Sequence, residues 1–179
     1  MLILISGCSG AGKNTVINHL LRKNPDLKYL KSCTSRNKEN RDDETDSYIF
    51  LTKEEFEDKI KNNELFEYEE IHGNYYGILK SSIDDVFSGT NYVKDIGVLG
   101  QKNMTERLGN KVKIVSIFLD VPKNELIKRL KLRGEKNIDK RMERFEFESA
   151  HRPNYNLIIQ NDNMDKTIEI IEGILRKPE

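Results

Sequence analysis

The sequence contains no tryptophan and only two cysteines, Cys8 and Cys33, in 179 residues. Two cysteines cannot build a disulfide framework, and they favour a reducing, cytoplasmic location. Four prolines and 11 glycines exclude collagen-like and low-complexity chains. No apolar run approaches the roughly 18 residues that a membrane-spanning helix requires, so no membrane partner is expected.

The chain also lacks an excess of charge of either sign, since 30 basic residues balance 30 acidic ones. A zero net charge argues against a broad nucleic-acid-binding surface, although it permits a local basic pocket for a small anion. The length is that of one domain, and such a chain buries enough surface to fold without disulfides or structural metals.

Short apolar segments alternate with segments of helical periodicity. Strands are predicted at Leu2–Ser6, Tyr48–Leu51, Leu65–Ile71, Thr90–Ile96, Val112–Leu119 and Leu157–Gln160. Helices are predicted at Asn14–Lys23, Thr52–Asn62, Ser81–Phe87, Asn124–Leu132, Asn137–Ser149 and Lys166–Arg176. This alternation favours an α/β fold in which helices flank a parallel sheet.

A phosphate-binding loop follows the first predicted strand. Residues Gly7–Lys13 fit the pattern GxxxxGK between a strand and a helix. Glycines let successive backbone N–H groups surround an anion, and the positive end of the following helix adds to the attraction. The residues predicted to contact ATP are Ser9, Gly10, Ala11, Gly12, Lys13, Asn14 and Thr15, with Lys13 directed to the β- and γ-phosphates.

The position after Lys13 departs from the usual loop. It normally carries Ser or Thr, whose hydroxyl binds Mg²⁺. Asn14 occupies it here, and Thr15 follows. An amide oxygen can also bind Mg²⁺, although the Asn side chain is longer, so Asn14 is the candidate metal ligand. The alternative is an ion held by water or phosphate oxygens alone.

A second series of motifs follows in a fixed order. It comprises Ser32-Cys33-Thr34-Ser35-Arg36, Tyr48-Ile49-Phe50, Glu67, Gly73-Asn74-Tyr75-Tyr76-Gly77, an RLxxRG segment at Arg129–Gly134, and Asn161-Asp162. Together with the phosphate-binding loop, this series resembles the guanylate kinase family over essentially the whole chain.

The resemblance implies phosphoryl transfer from ATP, with Mg²⁺, to a nucleoside monophosphate, usually GMP. It also implies one domain of three parts: a P-loop core (1–31, 80–124 and 151–179), a small monophosphate-binding lobe (32–79), and an arginine-bearing lid (125–150). By family match, Lys13 and the lid residues Arg129, Arg133 and Arg141 would stabilise charge on the transferring group.

The same match gives the acceptor site. Ser32, Arg36, Tyr48 and Tyr76 would hold the monophosphate, because a dianion suits a guanidinium and hydroxyl donors. Glu67 would pair with the N–H donors of guanine. The complete predicted acceptor set is Ser32, Arg36, Arg41, Asp42, Glu44, Tyr48, Glu67, Tyr76 and Asp95.

Several positions depart from the family pattern. The second arginine of the acceptor motif falls on Glu39, and Arg41 could replace it in a shifted register. The acidic base reader is then Asp42 in the straight register or Glu44 in the shifted one. Ile78 replaces a Ser or Thr, and Gly97 replaces the second acid of an Asp-x-Asp pair. The acceptor is therefore left open between GMP, dGMP and a non-standard nucleotide.

Two other functions compete with this interpretation. One is a non-catalytic guanylate kinase-like module that binds phosphopeptides; such modules typically lose the ATP loop, which is intact here. The other is a P-loop kinase of a phosphorylated sugar, which would keep the phosphate ligands and lose the base readers; Glu67 and the GNYYG string argue against it.

Overall fold

The computed structural model describes residues 1–37, 48–71 and 73–176. Its strands are β1 (Leu2–Ser6), β2 (Leu27–Tyr29), β3 (Ser32–Thr34), β4 (Tyr48–Phe50), β5 (Leu65–Ile71), β6 (Asn74–Leu79), β7 (Asn91–Asp95), β8 (Ile114–Asp120) and β9 (Leu157–Gln160). Its α-helices are α1 (Lys13–Lys23), α2 (Lys53–Lys61), α3 (Lys80–Val86), α4 (Val98–Leu108), α5 (Lys123–Leu132), α6 (Ile138–Met142), α7 (Phe145–Ala150) and α8 (Met164–Leu175). None of the helices in this part of the chain has the length and apolar composition that a membrane crossing would need.

The larger sheet is entirely parallel and has the strand order β2–β7–β1–β8–β9. The central strand β1 is buried on both faces, which explains why its sequence is a continuous apolar run. Ile3 and Ile5 pack into the core on one face, and Leu2 and Leu4 into the core on the other. The predicted α/β fold with a parallel sheet and flanking helices is confirmed.

A smaller, mixed sheet has the order β4–β3–β6–β5. Strands β3 and β4 are parallel, whereas β6 is antiparallel to both β3 and β5. Helix α2 covers this sheet through Phe56, which is fully buried with Cys33 and Leu65. A capping box fixes the start of α2 at Thr52, the residue at which the predicted helix begins. Thr52 Oγ1 accepts from the Glu55 N–H at 3.1 Å, and the Glu55 carboxylate accepts from the Thr52 N–H at 2.7 Å.

Some elements lie outside the sequence prediction. The three-residue strands β2 and β3 are too short to show a periodicity, and β6 and α4 were not predicted either. The helix predicted over Asn137–Ser149 is two helices, α6 and α7. The break falls at Arg144, whose ψ of −4° is a turn value and ends the regular hydrogen-bond ladder.

Candidate active site

The phosphate-binding loop joins β1 to α1 and requires its glycines. Gly10 and Gly12 have φ angles of 89° and 92°, in the left-handed region that glycine adopts without strain. At Gly12 a Cβ atom would also lie 2.8 Å from Asn161 Nδ2, so a larger residue is excluded by contact as well. The first N–H groups of α1 have no acceptor within the helix and are the groups that would meet an anion.

Lys13 lies at the start of α1 with its ammonium folded over the loop. Its Nζ donates to the Gly7 carbonyl oxygen at 2.6 Å and lies 3.4 Å from the Cys8 carbonyl oxygen. Gly7 and Lys13 both line a cavity of about 390 Å³ that extends from the loop to the smaller sheet. The lysine therefore places a positive charge at the loop end of this cavity.

Asn161, directly after β9, holds the loop from beneath. It is 3 % exposed, and its Nδ2 donates to the Ala11 carbonyl oxygen at 2.7 Å. Thr167 Oγ1 donates to Asn161 Oδ1 at 2.9 Å, and Arg129 Nη2 donates to the Asn161 carbonyl oxygen at 2.9 Å. One residue thus links the loop to Arg129. Asn161 belongs to the Asn161-Asp162 pair of the motif series, and it lies at the carboxyl end of the parallel strand β9, the end at which such sheets bind ligands.

The smaller sheet contributes the other end of the cavity. Because successive strand residues face opposite sides, the pair Tyr75-Tyr76 is divided between two roles. Tyr75 stacks on Phe56 in the core of the smaller sheet, with ring centroids 5.2 Å apart and planes at 18°. Tyr76 faces the cavity and meets Tyr48 edge-on, with centroids 6.2 Å apart and planes at 75°.

The cavity brings together six of the residues singled out from the sequence. They are Lys13, Ser32, Tyr48, Glu67, Tyr76 and Asp95. Ser32 and Tyr48 are register partners on β3 and β4, which places their side chains together. Asp95, at the end of β7, accepts a hydrogen bond from the Tyr29 hydroxyl.

Glu67 has an unusual environment in this cavity. Burial raises the pKa of its carboxyl from an ordinary 4.5 to about 7; Glu69 adds to the increase, and Lys94 and Arg107 oppose it. The Oε2 atom is buried and has no hydrogen-bond partner in the described part of the chain. A buried acceptor without a donor, facing a cavity, is suited to the N–H groups of a ligand.

Among the residues that the structure describes, the other predicted site residues do not line this cavity. Arg36 follows β3, and its backbone N–H donates to Thr34 Oγ1 at 3.1 Å. Arg133 is exposed at the end of α5, and Arg141 Nε pairs with Glu135 Oε2 at 3.2 Å on the surface. The three acceptor candidates that depend on the motif register, Arg41, Asp42 and Glu44, lie outside the described residues, as does Glu39.

Two basic residues that line the cavity, Arg144 and Lys94, had no predicted role. Arg144 reaches the cavity from the break between α6 and α7, where the sequence prediction had a continuous helix. Its Nε lies 3.8 Å from Glu148 Oε1, which also lines the cavity. Lys94 reaches it from β7. A lysine directly after the apolar residues Tyr92 and Val93 of a predicted strand is the sequence signal for it.

The two family departures that the structure describes both lie in the cavity wall. Ile78 is 2 % exposed and belongs to the core cluster of the larger sheet. Gly97 is the N-cap of α4, has an ordinary φ of −70°, and would place a Cβ atom in open space. An apolar side chain therefore packs at position 78, where the family has a hydroxyl, and no side chain is present at position 97, where the family has an acid.

A phosphate-binding loop at the carboxyl edge of a parallel sheet, sharing one cavity with a second small sheet, defines the P-loop kinases of small molecules.

The family model described as guanylate kinase matches residues 1–178. A guanylate kinase of Bacteroides thetaiotaomicron is 37 % identical, covering 98 % of this chain and 90 % of its own. One of Mycoplasmoides gallisepticum is 39 % identical, covering 99 % and 92 %. The crystal structure of guanylate kinase from Anaplasma phagocytophilum is similar with a TM-score of 0.75 and 27 % identity, over 98 % of this chain and 84 % of that one. The chain belongs to the guanylate kinase family.

Proposed function

We propose that this protein transfers the γ-phosphoryl group of ATP to GMP, giving ADP and GDP. The observation that carries the proposal is the single cavity lined at one end by Gly7 and Lys13 and at the other by Ser32, Tyr76 and Glu67. Phosphoryl transfer needs its two substrates held end to end with their charges neutralised, and one continuous cavity with phosphate ligands at both ends meets that need.

The donor side consists of Ser9 to Thr15. Backbone N–H groups of the loop and the ammonium of Lys13 would bind the ATP phosphates. Asn14 and Thr15 are exposed on the first turn of α1 and carry hard oxygen donors of the kind that Mg²⁺ prefers. In the described residues no group of three acidic, His or Cys side chains could hold a metal ion, so Asn14 would act beside phosphate and water oxygens. When bound, Mg²⁺ supplies positive charge to the β- and γ-phosphates.

The acceptor side needs no general base, because a phosphate oxygen of GMP is already anionic. The hydroxyls of Ser32, Tyr48 and Tyr76 and the guanidinium of Arg36 would hold that phosphate. Ionised Glu67 would accept the two N–H donors on the guanine edge. Asp95 lines the same cavity.

Residues 32–79 would act as the acceptor lobe and 125–150 as a lid on the core. Arg129 is already tied to the loop through Asn161. Arg133 and Arg141 lie on the surface of the segment and would reach the phosphates when it closes over both nucleotides. Closure of this kind excludes water and so limits hydrolysis of ATP.

Neither competing function is favoured. A module that only binds phosphopeptides does not require an intact phosphate-binding loop with Lys13 in the shared cavity. A kinase of phosphorylated sugars does not require a buried carboxylate at the position of Glu67. The curated relatives are themselves named guanylate kinase at 36–39 % identity.

The direct test is ADP release from Mg·ATP with a panel of acceptors: GMP, dGMP, IMP, AMP, UMP, CMP and a phosphosugar. Turnover with GMP or dGMP at least about 100-fold above the others is expected, since a hydrogen-bonding site discriminates strongly. Fast turnover with a different acceptor would overturn the assignment of Glu67. ATP binding without turnover of any acceptor would favour the binding module.

Replacement of Arg36 with alanine is expected to raise the KM for GMP about 30-fold, because a charge-assisted contact to the phosphate is lost. The KM for ATP should stay within about twofold, since ATP binds at the other end. Steady-state kinetics with each substrate varied would measure both values. Arg22→Ala, at an exposed position of α1, is the matched control; an unchanged KM for GMP in Arg36→Ala would show that the phosphate lies elsewhere.

Replacement of Gly97 with aspartate should increase the preference for GMP over AMP about tenfold, because it restores an acceptor beside the guanine donors. The backbone already has an allowed φ, and the new side chain enters open space. As an N-cap of α4, aspartate should also leave the melting temperature unchanged or slightly higher. The ratio of kcat/KM values for GMP and AMP is the measurement, with Gly97→Asn as the neutral control. A ratio that does not rise in Gly97→Asp would place the base away from α4.

A further inference from the structure

A lysine is buried between the two sheets. Lys94 is the fourth residue of β7, is 2 % exposed, and lines the cavity. Its Nζ donates to Ser32 Oγ at 2.6 Å and to the Leu30 carbonyl oxygen at 3.2 Å. The side chain thus reaches from the parallel sheet to the first residue of the smaller sheet, at the acceptor end of the cavity.

The charge of Lys94 has no contact partner of opposite sign in the described part of the chain. Both of its hydrogen-bond partners are neutral, and the carboxylates of Glu67 and Asp95 act on it through space. Burial lowers the pKa of this lysine, which the two carboxylates counteract. One of its three N–H groups has no acceptor among the residues described. An ammonium held in this way is costly to bury, which indicates a ligand rather than a purely structural role.

The position of the ammonium identifies the ligand. Under the proposed function, on which this inference rests, the Ser32 hydroxyl donates to the acceptor phosphate. Ser32 Oγ accepts from Lys94, so its own proton remains available for that phosphate. A phosphate oxygen bound there lies about 2.7 Å from Oγ, within reach of the remaining N–H of Lys94. We propose that Lys94 is a direct ligand of the monophosphate group of the acceptor.

This role also accounts for a departure in the sequence. The position of the second arginine of the acceptor motif is Glu39, whose carboxylate would repel the phosphate. Lys94 delivers a cation to the same group from a different element, the strand β7. The acceptor phosphate would then be held by the planar guanidinium of Arg36 and by a point charge on Lys94.

The test compares a ligand that carries the phosphate with one that lacks it. The inhibition or dissociation constants of GMP and guanosine are measured for the wild type and for Lys94→Met. Methionine keeps the length of the side chain and removes the charge. We expect affinity for GMP to fall about 20-fold, as for loss of one charged hydrogen bond, while affinity for guanosine stays within about twofold.

Two further variants separate binding from stability. Lys28→Met, exposed on the neighbouring strand β2, is the matched control and should change neither constant. Lys94→Gln keeps donors for Ser32 and Leu30, and should lose GMP affinity like the methionine variant. The melting temperature of Lys94→Met should be no lower than that of the wild type, because replacing a buried charge by an apolar side chain is often neutral or stabilising.

Three outcomes would overturn the proposal: unchanged GMP affinity in folded Lys94→Met, equal losses for GMP and guanosine, or wild-type GMP affinity in Lys94→Gln. Equal losses would assign Lys94 to the base rather than to the phosphate. These results differ from a failure of the proposed function itself, which would appear as a wild-type protein that releases no ADP with GMP.

Discussion

Replacement of Lys13 with methionine is expected to lower kcat for phosphoryl transfer about 10³-fold, the scale of losing one preorganised charge at a transition state. The Nζ of Lys13 lies 2.6 Å from the Gly7 carbonyl oxygen, at the end of the cavity where the transferring phosphoryl group must pass. Methionine preserves the aliphatic stem and the helix propensity at the start of α1, so the fold should be retained.

The measurement is ADP release at saturating GMP and Mg·ATP, with GMP affinity measured separately. GMP affinity should stay within about twofold, because the acceptor binds at the opposite end of the cavity. Lys23→Met, exposed in the last turn of the same helix, is the control for the chemical change. A kcat within tenfold of the wild-type value would show that Lys13 does not contribute to phosphoryl transfer.

Replacement of Glu67 with glutamine is expected to lower kcat/KM for GMP about 200-fold, through the loss of two charge-assisted hydrogen bonds to guanine. Turnover of AMP, which lacks the matching donors, should change little. Steady-state kinetics with both acceptors would measure the two effects. Glu69→Gln, on the same strand and also at the cavity, is the matched control; equal losses for GMP and AMP would show that Glu67 does not read the base.

The raised pKa of Glu67 adds a dependence on pH. In the empty protein the carboxyl is protonated below about 7, and guanine needs the ionised form. The KM for GMP should therefore fall as the pH rises from 6 to 8, and this fall should be smaller in Glu67→Gln. The GMP phosphate titrates in both proteins alike, so the difference between the two profiles isolates Glu67.

The same pKa predicts a change in stability. A carboxyl whose pKa is higher in the folded than in the unfolded protein stabilises the fold below about 4.5, and this stabilisation disappears as the pH rises through about 7. The unfolding free energy of Glu67→Gln should therefore exceed that of the wild type by about 2 kcal/mol at pH 8. This is less than a fully buried carboxyl would give, because Glu67 is partly exposed. Urea unfolding at pH 5 and pH 8 measures this; equal differences at both pH values would contradict it.

The parallel core could be predicted from the sequence because burial on both faces leaves a strong pattern. Segments such as Leu2–Ser6 and Ile114–Asp120 are mostly apolar, and the loop after the first is a motif with a physical basis. Helix α4 was missed although Met104 and Leu108 continue its buried face. Its start has Gly97 as the N-cap, with no side-chain cap hydrogen bond, and Gly100 in the first turn, so the sequence gives no clear start signal for a helix.

The candidate site also has residues that could be predicted from the sequence and residues that could not. The resemblance to the guanylate kinase motifs predicted Ser32, Tyr48, Glu67 and Tyr76, and the structure places them on β3, β4, β5 and β6 around one cavity. Lys94 was not predicted: a lysine beside apolar residues marks its place in β7, but its position at the cavity depends on a contact with Ser32, 62 residues away. Arg144 was not predicted either, because the break that directs it to the cavity depends on tertiary packing.

Because of the hydrogen bond from Asn161 to Ala11, the phosphate-binding loop gains its full support only late in the synthesis of the chain. This hydrogen bond spans 150 residues and shapes the loop near the start of the chain. The amino-terminal part of a protein leaves the ribosome first, and long-range contacts must wait for their second partner. The loop therefore waits for the strand β9 and Asn161 to emerge before it receives this support. We expect a nascent chain stalled before residue 157 to bind ATP poorly, so the capacity to bind ATP signals a completed fold.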